Sequence, residues 1–136
     1  RGLGDVYKRQ AHTILRGGVN QYGQAIPNYH YEDLIRLYNL YSQKDLKNPA
    51  VIIDANHSNS GKQFKEQIRI VKEVMHNRLL SSDIYSMVKG VMIESYIEPG
   101  NQKIGCTNHV YGKSITDPCL GWEDSERLLY EIAEQV

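Results

Sequence analysis

The sequence predicts an α/β fold, in which parallel strands alternate with helices. Three short apolar runs follow one another along the chain, at residues 13–15, 50–53 and 90–93. None shows the polar alternation of a half-exposed strand, so each is predicted to be a buried strand. Segments with helical periodicity lie between and after these runs, which indicates successive right-handed βαβ units.

The first strand is followed by a predicted helix over residues 31–43, and the last helix is predicted over residues 123–135. Glycine and proline are absent from both segments. The apolar side chains expected to face inward on these two helices are Leu34, Tyr38, Tyr41, Leu128, Leu129 and Ile132.

The clearest helical pattern follows the second strand. Its apolar side chains share one face at spacings of four, three and four residues, and they are Phe64, Ile68, Val71 and Met75. Ser60 and Gln63 match a capping box, in which each side chain pairs with a free amide of the first turn. We therefore predict that the helix starts at Ser60.

The number of units limits the architecture. Three βα units could belong to an open doubly wound sheet or to an arc of a (β/α)₈ barrel, and a closed barrel needs roughly 250 residues. A chain of 136 residues could not close a barrel alone. Residues 96–122 lack helical periodicity and are rich in glycine and proline, so we predict a long functional loop there.

Composition excludes several classes of function. The chain has 16 basic and 16 acidic residues and a pI near 7.1, so it has no broad positive field for nucleic acid or a membrane surface. We expect neither partner, and any anion must be held by a local site. No apolar run approaches the roughly 20 residues of a spanning helix. With two cysteines and no secretory signal, free thiols and a cytoplasmic location are expected.

Residues 1–10 are treated separately. The chain begins with arginine, and DVYKRQ at residues 5–10 resembles a translated sequencing-library adapter. We expect residues 1–10 to be a non-native segment, residues 11–136 to be the protein itself, and the chain to be a fragment.

Polar side chains follow each predicted strand. Arg16, His57 and Glu94 come at or close after the ends of the three apolar runs. Because the carboxyl ends of parallel barrel strands share one face, these side chains are expected to converge.

A metal site is the first function that these residues indicate. His57, Glu94 and Asp117 of the following loop offer one imidazole and two carboxylates. This mixed set suits manganese, iron, cobalt or zinc better than magnesium or calcium. The alternative is that His57 is a hydrogen-bonded structural residue beside a strand.

An anion-binding site is the second function that these residues indicate. The guanidinium of Arg16 can bind a phosphate or a carboxylate through two hydrogen bonds, while Gly17 and Gly18 let the backbone approach the same anion. An ion-paired arginine before a glycine turn explains the same pattern equally well. Cys119 is interpreted as a small buried residue rather than a ligand or nucleophile.

Several motifs in these regions resemble the type I DAHP synthases. They are ILRGG (residues 14–18), IDANHSNS (53–60), KQF (62–64), GVMIES (90–95), EPGNQ (98–102), YGKSITD (111–117) and GWED (121–124). Together they span nearly everything after residue 10. The resemblance implies a (β/α)₈ barrel in which the three strands are the sixth, seventh and eighth.

The resemblance also implies a function. It implies condensation of phosphoenolpyruvate with erythrose 4-phosphate, which opens aromatic amino-acid biosynthesis through the shikimate pathway, by a full-length homo-oligomer. Arg16 would bind phosphoenolpyruvate, and the catalytic residues His57, Glu94 and Asp117 would ligate a divalent metal. The fourth family ligand is a cysteine that would lie upstream of residue 11.

Two alternatives stay open at this point. One is the related synthase that uses arabinose 5-phosphate, although the GWED motif favours DAHP synthase. The other is a catalytically incompetent barrel fragment that associates through exposed sheet edges.

Overall fold

A computed structural model describes residues 12–105 and 107–136 of the chain. The predicted non-native segment at residues 1–10 and the thiol of Cys106 lie outside the described residues. Within those residues, no helix has both the length and the apolar character needed to cross a bilayer.

The secondary structure alternates between strands and helices, as the sequence predicts. In chain order the elements are β1 (Thr13–Leu15), β2 (Gly18–Val19), β3 (Ala25–Ile26), α1 (Tyr31–Ser42), β4 (Val51–Asp54), α2 (Glu66–Leu80), α3 (Ser82–Met87), β5 (Val88–Met92), β6 (Glu98–Asn101), β7 (Lys113–Ser114) and α4 (Trp122–Ala133).

The three predicted strands form one parallel sheet in the order β1-β4-β5. The prediction of an α/β fold with a parallel sheet is therefore confirmed. The core joins the strands to the helices in one cluster, which includes Val51 and Ile53 of β4 and Leu34, Val71 and Leu128 of the helices.

Burial differs from the prediction of three buried strands. Only β4 is largely buried, because it alone has a strand on each side. Ile14 of β1 and Met92 of β5 are 44% and 43% exposed. Both belong to the face of the sheet opposite the helices, as their pairing with Ile52 and Asp54 shows.

The start of α2 corrects the predicted capping box. The helix begins at Glu66, and the hydroxyl of Ser60 donates to Asn56 instead of capping a helix. Gly61 and Lys62 have φ values of 57° and 64°. A right-handed helix cannot run through these left-handed residues, so it starts after them.

The buried face of α2 is also rotated slightly from the prediction. Val71 and Met75 are buried as expected, whereas Phe64 and Ile68 pack only partly against the core. The remaining buried side chains of this helix are Gln67, Ile70, Val74 and Asn77.

The predicted inward faces of the other two long helices are mostly right. Leu34 is buried on α1, and both predicted tyrosines pack partly against the core. On α4, Leu128 is buried and Ile132 is partly buried, but Leu129 is 61% exposed. One residue turns the helix by about 100°, which carries Leu129 away from the face that Leu128 buries.

The predicted loop at residues 96–122 is more ordered than expected. Its strands β6 and β7 pair with each other in parallel. The segment then returns to the end of β5, where the amide of Leu120 donates to the carbonyl of Glu94 at 3.0 Å and the amide of Tyr96 donates to the carbonyl of Leu120 at 2.8 Å. This return brings Asp117 toward the carboxyl end of the sheet.

Candidate metal centre

His57 lies in the turn that leaves β4, and its orientation is fixed by Asp54. The Nδ1 atom of His57 lies 2.8 Å from Oδ2 of Asp54, whose side chain is almost completely buried. In a neutral imidazole, donation from Nδ1 leaves the lone pair on Nε2. A metal-binding histidine commonly has such a carboxylate behind it.

The turn itself is held to the sheet by Asn59. Its Nδ2 atom donates to the carbonyl of Leu15 at 3.0 Å and to that of Asp54 at 2.8 Å, so it joins the ends of β1 and β4. The backbone of His57 has a φ of 50°, which non-glycine residues seldom adopt. The strained conformation therefore persists because the surrounding hydrogen bonds support it.

Three predicted site residues meet at this point. Nε2 of His57 lies 3.4 Å from Oε1 of Glu94 and 3.9 Å from Oδ2 of Asp117. One ligand atom from each residue lies within 4.8 Å of the other two. The lone pair of a neutral imidazole and two carboxylate oxygens can each donate an electron pair to a metal. This set of ligand atoms therefore fits a cation.

Glu94 is held by two amide side chains. Asn56 donates its Nδ2 to Oε2 of the carboxylate. The side-chain amide of Gln67 pairs with the backbone N–H and carbonyl of Glu94 at 2.8 and 3.1 Å. Asn56 thus fixes the carboxylate of Glu94, and Gln67 fixes its backbone.

A cavity of about 290 Å³ opens beside the cluster. Its lining brings the predicted anion-binding residue next to two predicted metal ligands, and the residues are Arg16, Asn56, His57, Ser58, Lys62, Asp117 and Pro118. The cationic residues Arg16 and Lys62 therefore line a cavity that His57 and Asp117 also line.

Gly17 allows β1 to approach this turn closely. Its φ is 74°, and a Cβ atom there would lie 2.8 Å from the backbone nitrogen of Asn59 and 2.9 Å from the carbonyl oxygen of Ile26. The amide of Gly17 donates to Asn28 at 2.8 Å. Only glycine combines this conformation with this close contact.

Comparisons with known proteins show the family of this chain. A sequence model described as the DAHP synthetase I family matches residues 9–130. The chain belongs to the DAHP synthetase I family. The resemblance inferred from the sequence motifs is thereby confirmed.

Individual relatives of this family cover most of the chain. A Trp-sensitive phospho-2-dehydro-3-deoxyheptonate aldolase of Enterobacter agglomerans is 43% identical over 126 residues, which are 92% of this chain and 33% of that protein. A phospho-2-dehydro-3-deoxyheptonate aldolase of Haemophilus influenzae is 38% identical over the same share of this chain and 32% of its own length.

A solved structure supports the fold. Phospho-2-dehydro-3-deoxyheptonate aldolase from Francisella tularensis superposes with a TM-score of 0.76 and 33% identity, over 90% of this chain and 33% of that one. The chain thus spans about a third of the length of the DAHP synthetase I relatives that it matches.

Cys119 is only partly buried, which differs from the predicted buried residue. Its sulfur donates to the carbonyl of Asp117. Burial raises the pKa of the Cys119 thiol, and the negative charges of Glu94 and Asp117 raise it further, while a hydrogen bond with Ser114 lowers it. The protonated thiol is favoured, which suits a supporting contact rather than a nucleophile.

Four residues that support the cluster were not singled out from the sequence. Asp54 and Asn56 stand directly at the strand end, where polar residues were noted without a role. Gln67 had a detectable signal, since it lies four residues before Val71 on the buried face of α2. Lys62 belongs to the KQF motif, but its place in the cavity could not be predicted because it depends on the left-handed turn.

Proposed function

We propose that this chain forms the metal centre and part of the phosphoenolpyruvate site of a DAHP synthase. The whole protein would condense phosphoenolpyruvate with erythrose 4-phosphate to give 3-deoxy-7-phosphoheptulonate and phosphate, at the entry to aromatic amino-acid biosynthesis. The observation that carries this proposal is the meeting of His57, Glu94 and Asp117 within 4.8 Å, in a chain of the DAHP synthetase I family.

The fold proposed for the whole protein is a (β/α)₈ barrel, in which β1, β4 and β5 are the sixth, seventh and eighth strands. Three parallel strands in sequence order and an exposed sheet face opposite the helices support this assignment. The cluster follows the carboxyl ends of the strands, where active sites of such barrels lie.

The donor set supports a divalent transition metal. One nitrogen and two oxygen ligands suit manganese, iron, cobalt or zinc. His57, Glu94 and Asp117 would hold the ion, and a cysteine outside this chain would complete the protein ligands. When bound, such an ion supplies Lewis acidity that polarises the aldehyde of erythrose 4-phosphate.

Arg16 and Lys62 are suited to the anionic substrate. The guanidinium of Arg16 can pair with the phosphate or carboxylate of phosphoenolpyruvate through two hydrogen bonds, and Lys62 adds a second positive charge to the same cavity. In the reaction, the C2–C3 π electrons of phosphoenolpyruvate form the bond from C3 to the aldehyde carbon, and the carbonyl π pair passes to the aldehyde oxygen. Water then adds at C2, and phosphate leaves with the electron pair of its bond to C2. The two protons of the water pass to the new hydroxyl and to phosphate, which leaves a ketone at C2. Arg16 would balance the negative charge throughout.

The ligand assignment is tested in the full-length enzyme by His57→Ala and Glu94→Ala. Each change removes a ligand, so kcat/KM is expected to fall by about 1000-fold, or about 4 kcal/mol of transition-state stabilisation. Steady-state kinetics with manganese present measure the effect. The exposed residues His76 and Glu134 provide matched controls, since His76→Ala and Glu134→Ala are expected to retain full activity. Normal activity of both ligand variants would refute the metal role.

Substrate choice is tested with two aldoses. The full-length enzyme is expected to form product from phosphoenolpyruvate and erythrose 4-phosphate, and none from arabinose 5-phosphate. Mass spectrometry of the seven-carbon and eight-carbon products distinguishes the two. An eight-carbon product alone would assign the chain to the related synthase instead.

Metal removal gives an independent test. Dialysis against EDTA is expected to abolish activity, and readdition of Mn²⁺, Fe²⁺, Co²⁺ or Zn²⁺ is expected to restore it, whereas Ca²⁺ is expected to fail. Full activity of a protein whose metal content is zero by elemental analysis would contradict the proposal.

A further inference from the structure

The peptide groups of Glu94 lie beyond the end of the regular sheet. The last backbone bond between β4 and β5 runs from the amide of Ala55 to the carbonyl of Met92 at 2.9 Å. At Glu94 the side-chain amide of Gln67 forms two hydrogen bonds with the backbone, since its Oε1 accepts from the N–H and its Nε2 donates to the carbonyl, which also accepts from the amide of Leu120. Gln67 has no exposed surface at all.

The carboxylate of Glu94 is held by a second amide. Asn56, which is 3% exposed, donates its Nδ2 to Oε2 of Glu94. The hydroxyl of Ser60 donates to Oδ1 of Asn56 at 2.8 Å, which fixes the orientation of that amide. Oε1 of Glu94 is left facing Nε2 of His57 at 3.4 Å.

We propose that Asn56 and Gln67 are positioning residues that hold Glu94 as a single-oxygen ligand. This inference rests on the proposed metal function. Asn56 engages one carboxylate oxygen and so directs the other toward the metal, while Gln67 fixes the backbone from which the side chain extends. A ligand held in place before binding loses less conformational freedom when the ion arrives, which raises metal affinity.

The role of Gln67 is tested by Gln67→Met in the full-length enzyme, with Mn²⁺ affinity measured by calorimetry. The change preserves side-chain length but removes both hydrogen bonds to Glu94. Loss of a residue that supports a ligand is expected to weaken metal affinity at least tenfold. Wild-type affinity in a folded Gln67→Met protein would overturn the role of Gln67.

Asn77 supplies the matched control. It is another buried amide of α2, and its Nδ2 has no hydrogen-bond partner among the described residues. Asn77→Leu is expected to leave Mn²⁺ affinity unchanged. An equal loss of affinity in both variants would reduce Gln67 to a general contributor to packing and would overturn its positioning role.

The role of Asn56 is tested by Asn56→Leu, with Co²⁺ as a spectroscopic probe. Release of Oε2 lets Glu94 ligate through both oxygens, so the visible absorption bands of bound Co²⁺ are expected to shift. An unchanged spectrum and affinity would overturn the single-oxygen arrangement. If Asn56→Leu does not fold, Ser60→Ala replaces it, because this smaller change removes only the hydroxyl that orients Asn56. The same Co²⁺ spectrum and affinity are then measured.

These measurements distinguish the proposed metal function from the proposed positioning roles. A folded wild-type enzyme that binds neither Mn²⁺ nor Co²⁺ would refute the proposed function itself. A wild-type enzyme that binds both ions, with variants that bind them identically, would refute only the positioning roles.

Discussion

Asp54 orients the imidazole ring of His57, the histidine of the candidate metal centre. Its Oδ2 accepts from Nδ1 of His57, and its Oδ1 accepts from the backbone amide of Asn56 at 2.9 Å. In Asp54→Asn, the new amide nitrogen would donate to Nδ1 and shift the proton to Nε2. We predict that Mn²⁺ affinity of the full-length enzyme falls about tenfold, as measured by calorimetry.

The exposed residue Asp45 gives a control for this prediction. Asp45→Asn makes the same chemical change away from the cluster and is expected to leave metal affinity unaltered. If Asp54→Asn binds Mn²⁺ as tightly as the wild type, the tautomer of His57 is not set by this carboxylate.

Lys62 has a strained backbone conformation, and its side chain lines the cavity beside His57. Its φ of 64° disfavours any residue with a Cβ atom. Lys62→Gly is therefore predicted to stabilise the full-length protein by about 0.5–1 kcal/mol in urea denaturation, while the KM for phosphoenolpyruvate rises because a cation is lost.

Lys72 provides the comparison for that change. It lies inside α2, where Lys72→Gly is expected to cost about 1 kcal/mol. A Lys62→Gly protein that loses stability, or that keeps its KM, would contradict one half of the prediction.

At the scale of residues, sequence reasoning identified the cluster but not its supports. His57, Glu94 and Asp117 belong to chemically distinctive types in recognisable motifs. Gln67 acts on the backbone of Glu94, and Asn56 acts on a single carboxylate oxygen of the same residue. Such contacts depend on the exact path of two chain segments, which spacing alone does not reveal.

At the scale of elements, the contact between β1 and the turn after β4 depends on Gly17. Gly17→Ala forces a Cβ atom to within 2.9 Å of three backbone atoms. We predict a loss of roughly 3 kcal/mol in the free energy of unfolding of the full-length protein, from overpacking added to left-handed strain.

Gly23 separates those two contributions. It has a similar φ of 78°, but a Cβ atom there would meet nothing within 4 Å. Gly23→Ala is expected to cost only about 1 kcal/mol, which is the strain alone. Equal losses in the two variants would mean that the turn relaxes away from Gly17.

The elements were predictable wherever apolar periodicity dominated. The apolar runs located the three strands of the main sheet, because each strand carries apolar side chains on both faces even where one face is exposed, as at Ile14 and Met92. The proposed cap at Ser60 was wrong because Gly61 and Lys62 turn the chain left-handed before the helix starts. The β6 and β7 pair was missed because these strands, EPGN at residues 98–101 and KS at residues 113–114, contain no apolar run.

A large apolar surface is exposed on the described part of the chain. A groove of about 590 Å³ runs between α4 and the segment after β5, and its apolar lining includes Tyr96, Trp122, Leu129 and Tyr130. The sheet face with Ile14 is also exposed. We predict that the isolated 136-residue chain self-associates at micromolar concentration, as measured by size-exclusion chromatography with light scattering.

Two substitutions of equal chemistry test the location of that association. Leu129→Glu places a charge in the groove and is expected to reduce the oligomer fraction. Leu46→Glu changes a leucine that is 46% exposed outside the groove, and it is expected to have little effect. A monodisperse wild-type monomer would contradict the prediction.

The larger architecture was predictable only in part. The parallel α/β arrangement followed from local patterns, because each βα unit carries its own apolar signal. The proposed numbering of the strands as sixth to eighth cannot be derived from three strands alone, because their own pairings do not fix their place in a larger sheet. It was therefore inferred from family motifs rather than from physical pattern.

The three clustered side chains are all encoded between His57 and Asp117, together with Asp54, Asn56 and Gln67 close by in the same stretch. A single recombination event upstream of residue 54 would therefore transfer most of the centre intact from one gene to another.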